Sequence, residues 1–493
     1  MNKDMKLVRT SLLFLLLMVA AMTSYGSDRL EIFSNDKDPA QSAMWCAVTN
    51  FTDISIGRPE LLAQFQSVVT NYPASKYHET AKHTVDILRA MVAEDQAHAT
   101  IAPTDLNRLP EEKRVRELLF QLRDMSNNKS LFSNDQYVGT NTVAHQLAAI
   151  GYPAVPQLIA AADNPALTRW LKITPFGFNM GSYVSYTVLT VGDCAVAILE
   201  NIAGRSFKQA TSPEARKVAQ AWWDKFQTKG EKQMLIEGTE AGNTDSPTQA
   251  KFLLDRYPDV ALASLIKGTQ AATNVYTKGH LLRYFEKFDS PEAMAFLDRE
   301  LHEGFNESRL VAAGILNRKG RPEGVTMVIQ EWEKTRSDQP DNMHGPTELE
   351  RFLASVDSPE AIKALGKNLR THSLNTRMTI VNTVGSGGSE WYGPPVPKHS
   401  AATLDATEEL LVTALQDAGQ VMGETGSRMG KSYTDPRVCD MAGLYLNLLW
   451  PERYKFDLAA SLTVRDSQRA VCQNTWRRAH NLPMPPMSLP RSS

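Results

Sequence analysis

The pattern of apolar and polar residues between Val143 and Asp163 predicts two short helices joined by a sharp corner. Apolar residues recur at helical spacing on both sides of Gly151-Tyr152-Pro153, and they are Ala144, Leu147, Ala148, Val155, Leu158, Ile159 and Ala162. Spacings of three and four residues place side chains on one face of a helix. Two helices this short cannot bury their apolar faces alone, so we expect the hairpin to stack on similar hairpins.

A helix-start motif recurs further along the chain and supports repetition. It is Ser-Pro-Glu, at Ser212-Pro213-Glu214, Ser290-Pro291-Glu292 and Ser358-Pro359-Glu360. Serine can cap a helix start, proline lacks the N–H that would be unpaired there, and glutamate complements the positive helix end. Arg321-Pro322-Glu323 keeps the last two residues of the motif. The prolines of the last three copies are therefore 31 and 37 residues apart, a spacing typical of helical-hairpin repeats.

The segment from Leu147 to Arg169 resembles a HEAT-like repeat, the armadillo-type helical hairpin. The residues that carry the resemblance are Leu147, Ile150, Gly151, Ala154, Val155, Pro156, Leu158, Ile159, Asp163, Thr168 and Arg169. In that family an aspartate after the second helix and an arginine opening the next helix connect neighbouring repeats. The resemblance therefore implies this role for Asp163 and Arg169. The family brings no catalytic residues with it.

A longer run, residues 191–223, is similar to secreted bacterial HEAT-like proteins whose function is unassigned. Its start, Val191-Gly192-Asp193, has a counterpart near the C-terminus in Val438-Cys439-Asp440. Because repeated positions usually do the same local work, we expect Asp193 and Asp440 each to bond to a neighbouring backbone group or arginine. The pair Asp435-Pro436 predicts that the helix containing Asp440 begins there, with Asp435 as its N-cap and Pro436 as its first residue.

Together these patterns predict an all-α fold, a right-handed α-solenoid (an armadillo-type superhelix) of stacked αα-hairpins. The predicted divisions are a signal peptide (1–26), an N-terminal helical hairpin region (27–105), a HEAT-like module with an aromatic insertion loop (106–230), helical repeats (231–384), a Gly/Pro-rich loop (385–400), a C-terminal HEAT-like module (401–482) and a flexible tail (483–493).

The first 26 residues have the pattern of a secretory signal peptide. Lys3, Lys6 and Arg9 precede an apolar stretch that is shorter than the roughly 20 residues a membrane span needs. We therefore expect an exported protein, periplasmic or extracellular, with no stable membrane span after cleavage. The formal net charge is −2 with both signs well mixed, which argues against nucleic-acid binding.

The four cysteines raise the question of disulfides in an exported chain. Cys439 and Cys472 lie on segments that would face each other across a helical hairpin, so either a bridge or two buried thiols is consistent with the pattern. Cys46 and Cys194 are expected to be buried thiols that act as small apolar side chains.

Motifs for cofactors and metals are incomplete. Gly426-Ser427-Arg428-Met429-Gly430-Lys431-Ser432 has Thr425 where a phosphate-binding loop needs glycine, so a turn is expected there. His78 and His83 are five residues apart, whereas the helical zinc motif needs four. We therefore assign no catalytic, cofactor-binding or metal-binding residues. We expect that the protein is not an enzyme and uses no cofactor.

Aromatic residues in two segments are the candidate contact surface. They are Trp170, Phe176, Phe178 and Tyr183, around a Gly-rich stretch expected to be an irregular loop, and Trp391 and Tyr392 in the Gly/Pro-rich loop. Trp and Tyr are enriched in binding hot spots. The alternative is that these side chains fold back over the helical core.

The sequence favours an interaction scaffold over an enzyme. Stacked helical hairpins offer a long surface for an unidentified protein partner without needing an active site. A second hypothesis is a module that binds an envelope polysaccharide through the aromatic loops. A third is an enzyme of lyase type, since some HEAT-like proteins have that activity.

Overall fold

The computed structural model describes residues 30–33, 37–99, 105–125, 142–176, 183–207, 212–304, 306–338, 347–367, 369–387, 399–421, 425–428 and 431–483. Within these residues the protein is predominantly helical with little sheet. The chain divides into two compact units, Met1–Met234 (unit 1) and Leu235–Ser493 (unit 2). The predicted signal peptide and the chain after residue 483 lie outside the described residues.

Unit 1 combines helices with a small sheet. Its helices are α1 (Gln41–Thr49), α2 (Arg58–Asn71), α3 (His78–Ala99), α4 (Glu111–Gln121), α5 (Val143–Ile150), α6 (Val155–Ala161), α7 (Val191–Ala203) and α8 (Ser212–Glu240), whose last residues belong to unit 2. Its strands are β1 (Glu31–Phe33), β2 (Leu167–Phe176) and β3 (Tyr183–Thr190). Gly230 has a φ of 76°, so α8 is interrupted there.

The predicted helical pair is present as α5 and α6. Gly151 ends α5 with a φ of 74°, in the region that favours glycine, and the turn Tyr152–Ala154 leads into α6. Both helices pack on α7, which buries most of its residues. A side chain at Gly192 of α7 would meet the Ala162 carbonyl oxygen at 2.4 Å, so glycine lets the helix approach this backbone closely.

The predicted irregular loop after Trp170 is wrong for the residues that the structure describes there. β2 and β3 form an antiparallel pair with Phe176 opposite Tyr183, and β1 adds on the other side to give the order β1-β3-β2. Threonine and aromatic residues occur in both strands, β3 adds two valines, and these residue types fit a pleated surface. Residues 177–182, including Phe178, lie outside the described part.

Unit 2 consists of further helices and a two-stranded ribbon. The helices are α9 (Ser246–Arg256), α10 (Pro258–Ala271), α11 (Val275–Arg283), α12 (Pro291–Glu303), α13 (Asn306–Arg318), α14 (Glu323–Asp338), α15 (Glu348–Ser355), α16 (Pro359–Gly366), α17 (Leu374–Gly385), α18 (Ala401–Ala414), α19 (Val438–Leu449) and α20 (Leu462–Ala479). The ribbon pairs β4 (Thr425–Arg428) with β5 (Lys431–Thr434) where a turn was expected.

Most helices of unit 2 belong to one of two layers. In the first layer α9, α11, α13, α15, α17 and α19 each pack on the next member. In the second layer α14, α16, α18 and α20 pack in the same sequential way. One apolar cluster runs through the unit and includes Leu253, Phe285, Leu316 and Leu411, all nearly inaccessible to solvent. The helices inside the stack therefore bury their apolar faces against neighbours on both sides.

The predicted helix starts are confirmed where the structure describes the cap. Ser290 and Ser358 accept hydrogen bonds from the N–H groups of Ala293 and Ala361, at 3.2 Å in each case. The predicted cap at Asp435 is wrong. Asp435 has a φ of 47° in the link from β5, and α19 begins three residues later, at Val438.

Candidate functional site

An open cleft lies over the short helix α16 in the second layer of unit 2. α16 has 8 residues, whereas α14 and α18 beside it have 16 and 14. A helix advances about 1.5 Å per residue, so α16 spans a much shorter distance than its neighbours. The space along these three helices is a cleft of about 740 Å³.

Local sequence determines where α16 begins and ends. Ser358 caps its first turn, and Pro359 occupies the position where no N–H is needed. At the other end Gly366 faces α18, where an added Cβ would lie 3.2 Å from Leu410 Cδ1. The missing side chain lets α18 approach the end of α16 and so shapes one wall of the cleft.

Apolar residues form the floor of the cleft and charged residues its rim. The apolar residues are Ile329, Ile362, Ala364, Leu369, Ala406 and Leu410. The charged residues are Glu333, Glu360, Lys363, Lys367 and Glu409, all exposed. An apolar surface with a few polar groups around it is typical of binding sites.

Two charged groups of the rim are free to bind a partner. Lys367 Nζ lies 2.9 Å from Glu333 Oε1, which connects α16 to α14. A surface ion pair of this kind contributes at most about 1 kcal/mol. Lys363 on α16 and Glu409 on α18 make no hydrogen bond or ion pair with any residue that the structure describes. The cleft therefore offers one ammonium and one carboxylate on different helices.

Asp357, just before α16, holds the start of α18. Its Oδ1 accepts hydrogen bonds from the Ser400 N–H (2.9 Å), the Ser400 hydroxyl (2.8 Å) and the Thr403 hydroxyl (2.6 Å). Burial opposes the ionisation of this carboxyl group, but the bonds from Thr403 and Ser400 outweigh it and lower the pKa of Asp357. The two helices that flank this corner of the cleft are thereby connected.

His399 lies against the same carboxylate. Its Nδ1 is 3.8 Å from Asp357 Oδ1, and its side chain is only 3% exposed. Burial lowers the pKa of His399, although Asp357 acts in the opposite direction. Ser400 donates its hydroxyl to Asp357 and also caps α18, so the residues form a helix cap and not a nucleophilic triad.

The His399→Gln variant is expected to make the stability of the protein less dependent on pH. The folded state lowers the pKa of His399, so the unfolded chain takes up the proton first as the pH falls. The contribution of neutral His399 to folding stability is therefore present above the pKa of histidine in the unfolded chain, about 6.5. It is lost as the pH falls towards the lower pKa of His399 in the folded state. Urea midpoints measured at about pH 7.5 and about pH 5.5 should differ less for the variant. An equal difference in both proteins would contradict this role.

Of the sequence-predicted contact residues, the structure places only Trp170 with its side chain. Trp170 is 4% exposed in the core of unit 1, so it offers no surface for contact. Phe176 and Tyr183 end the paired strands β2 and β3. Phe178, Trp391 and Tyr392 lie outside the described residues. Trp170 does not line the cleft.

Asp163 and Arg169, which the resemblance predicts to connect neighbouring repeats, bond to different parts of the protein. Asp163 Oδ2 pairs with Arg216 Nη1 of α8 at 2.7 Å, which connects the end of the α5–α6 hairpin to a later helix. Arg169 instead donates to the carbonyl oxygens of Asp53 and Ile56, at 3.1 and 2.8 Å. Because Arg169 sits in β2 and not at a helix start, it holds the loop after α1.

Asp193 and Asp440 each bond to a neighbouring backbone group at the start of a helix, as expected. Asp193 accepts a hydrogen bond from the Thr190 backbone N–H at 3.0 Å, and Asp440 accepts one from the Arg437 backbone N–H at 3.2 Å. Each therefore caps the start of its helix, α7 or α19. Asp440 is in addition buried between the side chains of Arg437 and Arg465.

None of the four cysteines, all of which lie in the described part of the chain, forms a disulfide. Cys194, Cys439 and Cys472 are buried, and burial raises the pKa of the Cys472 thiol to about 11, so it stays protonated at neutral pH. The prediction that Cys46 is buried is wrong. It lies between the buried positions Met44 and Ala47 of α1, on the exposed side of the helix.

The cleft residues were not singled out from the sequence, because exposed lysines and glutamates on helices are usually only solvated. Among the described residues, no group of three or more His, Cys, Asp or Glu is placed to hold a metal ion. No helix within the described part is long and apolar enough to cross a membrane. A scan against protein-family models and a search of curated proteins each found no match to the chain.

Proposed function

We propose that this protein is an exported helical-repeat scaffold that binds an extended polypeptide segment in the cleft over α16. The proposal includes a right-handed, armadillo-type solenoid for unit 2, similar to HEAT-like proteins. The two layers of sequentially packed helices support that arrangement. Stacked helical repeats generate long surfaces suited to binding polypeptides.

The observation that carries the proposal is the pair of free charges on the rim of the cleft. Lys363 and Glu409 lie on adjacent helices of the second layer and are exposed. Their sequence neighbours Ile362 and Leu410 contribute to the apolar floor. A segment with an apolar anchor flanked by an acidic and a basic residue would satisfy all three features at once.

Binding of this kind requires no catalytic group, and we propose that the protein acts without catalysis of its own. The pattern of a basic start followed by a short apolar stretch supports export. An exported scaffold would meet proteins of the cell envelope or the surroundings. A polysaccharide partner is the alternative that the experiment below must distinguish.

Peptides selected from a random phage-displayed library on the mature chain are expected to bind the cleft. Fluorescence anisotropy with the labelled peptides should show a dissociation constant raised about tenfold or more by Lys363→Glu, because the change replaces attraction by repulsion. Glu409→Lys should weaken the same peptides if they carry a basic residue. Both positions are exposed, so circular dichroism should be unchanged.

Lys251→Glu is the matched control, since Lys251 is exposed on α9 and does not line the cleft. It should leave the affinity within about twofold. Failure to select any peptide, or peptides that bind the Lys363 variant as tightly as the parent, would refute the proposal. Retention of oligosaccharides on a glycan array by the parent chain would favour the polysaccharide alternative instead.

A further inference from the structure

A buried histidine lies at the corner where α16 and α18, two of the helices that form the cleft, begin. His399 comes directly before Ser400, the N-cap of α18, and Asp357 comes directly before Ser358, the N-cap of α16. The His399 side chain is almost completely buried, and its Nδ1 has no hydrogen-bond partner among the described residues. Buried polar atoms without a partner are uncommon in proteins, and histidine is the side chain that most readily changes charge near neutral pH.

Asp357 connects α16 to α18 at this corner through one oxygen atom. Its Oδ1 accepts hydrogen bonds from the Ser400 backbone N–H, the Ser400 hydroxyl and the Thr403 hydroxyl. The same oxygen is 3.8 Å from His399 Nδ1, which is too long for a hydrogen bond. The neutral imidazole ring therefore lies beside the carboxylate without taking part in the cap.

From this corner α16 and α18 run side by side into the cleft. Asp357 bonds to Thr403 at their starts. Further along both helices, Gly366 faces Leu410. Leu410 and its neighbour Glu409 line the cleft, so α18 forms one of its walls. A displacement of the start of α18 therefore changes the shape of the cleft.

Within the described part of the chain, Asp357 is the charged group that acts on His399. The other polar side chains at the corner are neutral. They are Ser400 and Thr403 of α18 and Asn317 of α13, whose amide donates to the Asp357 carbonyl oxygen at 3.1 Å. Burial opposes a positive charge on His399 more strongly than Asp357 favours it, and so lowers the pKa of His399. A proton therefore binds more tightly when the ring reaches water.

We propose that protonation of His399 opens this corner and weakens the binding of a polypeptide in the cleft over α16. The inference rests on the function proposed above and gives that site a regulation by pH. A charged imidazole ring moves towards water and draws Ser400, the next residue of the chain, away from Asp357. The start of α18 is then released, and the wall of the cleft moves with it. A ligand that needs the closed cleft binds more weakly as the open state becomes more populated.

Fluorescence anisotropy at about pH 7.5 and about pH 5.5 tests this regulation, with histidine-free peptides selected on the mature chain at the higher pH. The dissociation constant of the parent chain should rise about fivefold or more at the lower pH, whereas His399→Gln and His399→Asn should change by less than about twofold. Glutamates of the rim titrate near pH ~4.3 and stay largely ionised in this range. His280→Gln, at an exposed position on α11, is the matched control and should keep the pH dependence of the parent.

Hydrogen exchange measured by mass spectrometry tests the corner without any ligand. After correction for intrinsic rates, protection in the first turns of α18 should fall about threefold or more at the lower pH in the parent and stay unchanged in His399→Gln. Peptides that bind the parent equally well at both pH values would overturn the regulation and leave the proposed function standing, as would an equal loss of affinity in His399→Gln. Failure to select any peptide would remove the proposed function and its regulation together, even if the corner opened.

Discussion

Replacing Gly385 by alanine is expected to destabilise unit 2 by about 3 kcal/mol, because it inserts a methyl group into a filled contact. Gly385 is the last residue of α17, and an added Cβ would lie 2.1 Å from Cγ of Tyr445 on α19. The Tyr445 ring is 1% exposed and cannot move away into solvent. α17 and α19 would have to separate where they pack in the first layer.

Urea unfolding followed by circular dichroism measures this loss, and two further variants establish its cause. Gly279→Ala is the matched control, since a Cβ there would meet only atoms 3.8 Å away. It should be neutral or stabilising by about 0.5–1 kcal/mol, as expected for alanine in a helix. In a Tyr445→Ala background, Gly385→Ala should lose most of its cost. Equal costs in both backgrounds would rule out the clash as the reason.

The local parts of the fold were predictable from the sequence. The α5–α6 hairpin follows from apolar spacing and a glycine corner at Gly151, and both signals act within a few residues. The caps at Ser290 and Ser358 depend on hydrogen bonds three residues along the chain. Such short-range interactions can be predicted from residues that are close together in the sequence.

The sheet in unit 1 was missed because its pairing is not local. β1 begins at Glu31 and pairs with Thr187 of β3, so the strand depends on a partner more than 150 residues away. The Gly-rich stretch between β2 and β3 also suggested an irregular loop. The prediction of an N-cap at Asp435 was wrong for a related reason. The ribbon β4–β5 leads the chain into a left-handed conformation at Asp435 before α19 begins.

The cleft could not be predicted because it depends on the relative lengths of three helices. Ile329, Lys363 and Glu409 lie far apart in the sequence and meet only when α14, α16 and α18 stack. That Lys363 and Glu409 have no partner among the described residues is likewise a property of the packed structure. Sequence alone could assign helices to this region, but it could not show which charges would stay free.

Replacing Asp440 by alanine is expected to destabilise unit 2 by about 3–5 kcal/mol, the range for breaking a buried ion pair. Asp440 is 1% exposed and bonds to the side chains of Arg437 and Arg465, which are themselves 11% and 18% exposed. The hydrogen bonds that Arg437 donates to the Asp440 carboxylate raise the pKa of Arg437 further, so this guanidinium is charged in the parent protein. Without the carboxylate, two cations remain largely buried with their main partner removed.

Asp193→Ala provides the comparison, because Asp193 caps α7 in the same way that Asp440 caps α19. Asp193 caps the helix through Thr190 without being buried between arginines, so its removal should cost only about 1 kcal/mol. Hydrogen exchange measured by mass spectrometry can localise each loss. Faster exchange in α19 and α20 is expected for the Asp440 variant, and faster exchange in α7 for the Asp193 variant. If the two variants lost the same free energy, the cap alone would explain Asp440, and the arginine pairs would contribute little to holding α20 on α19.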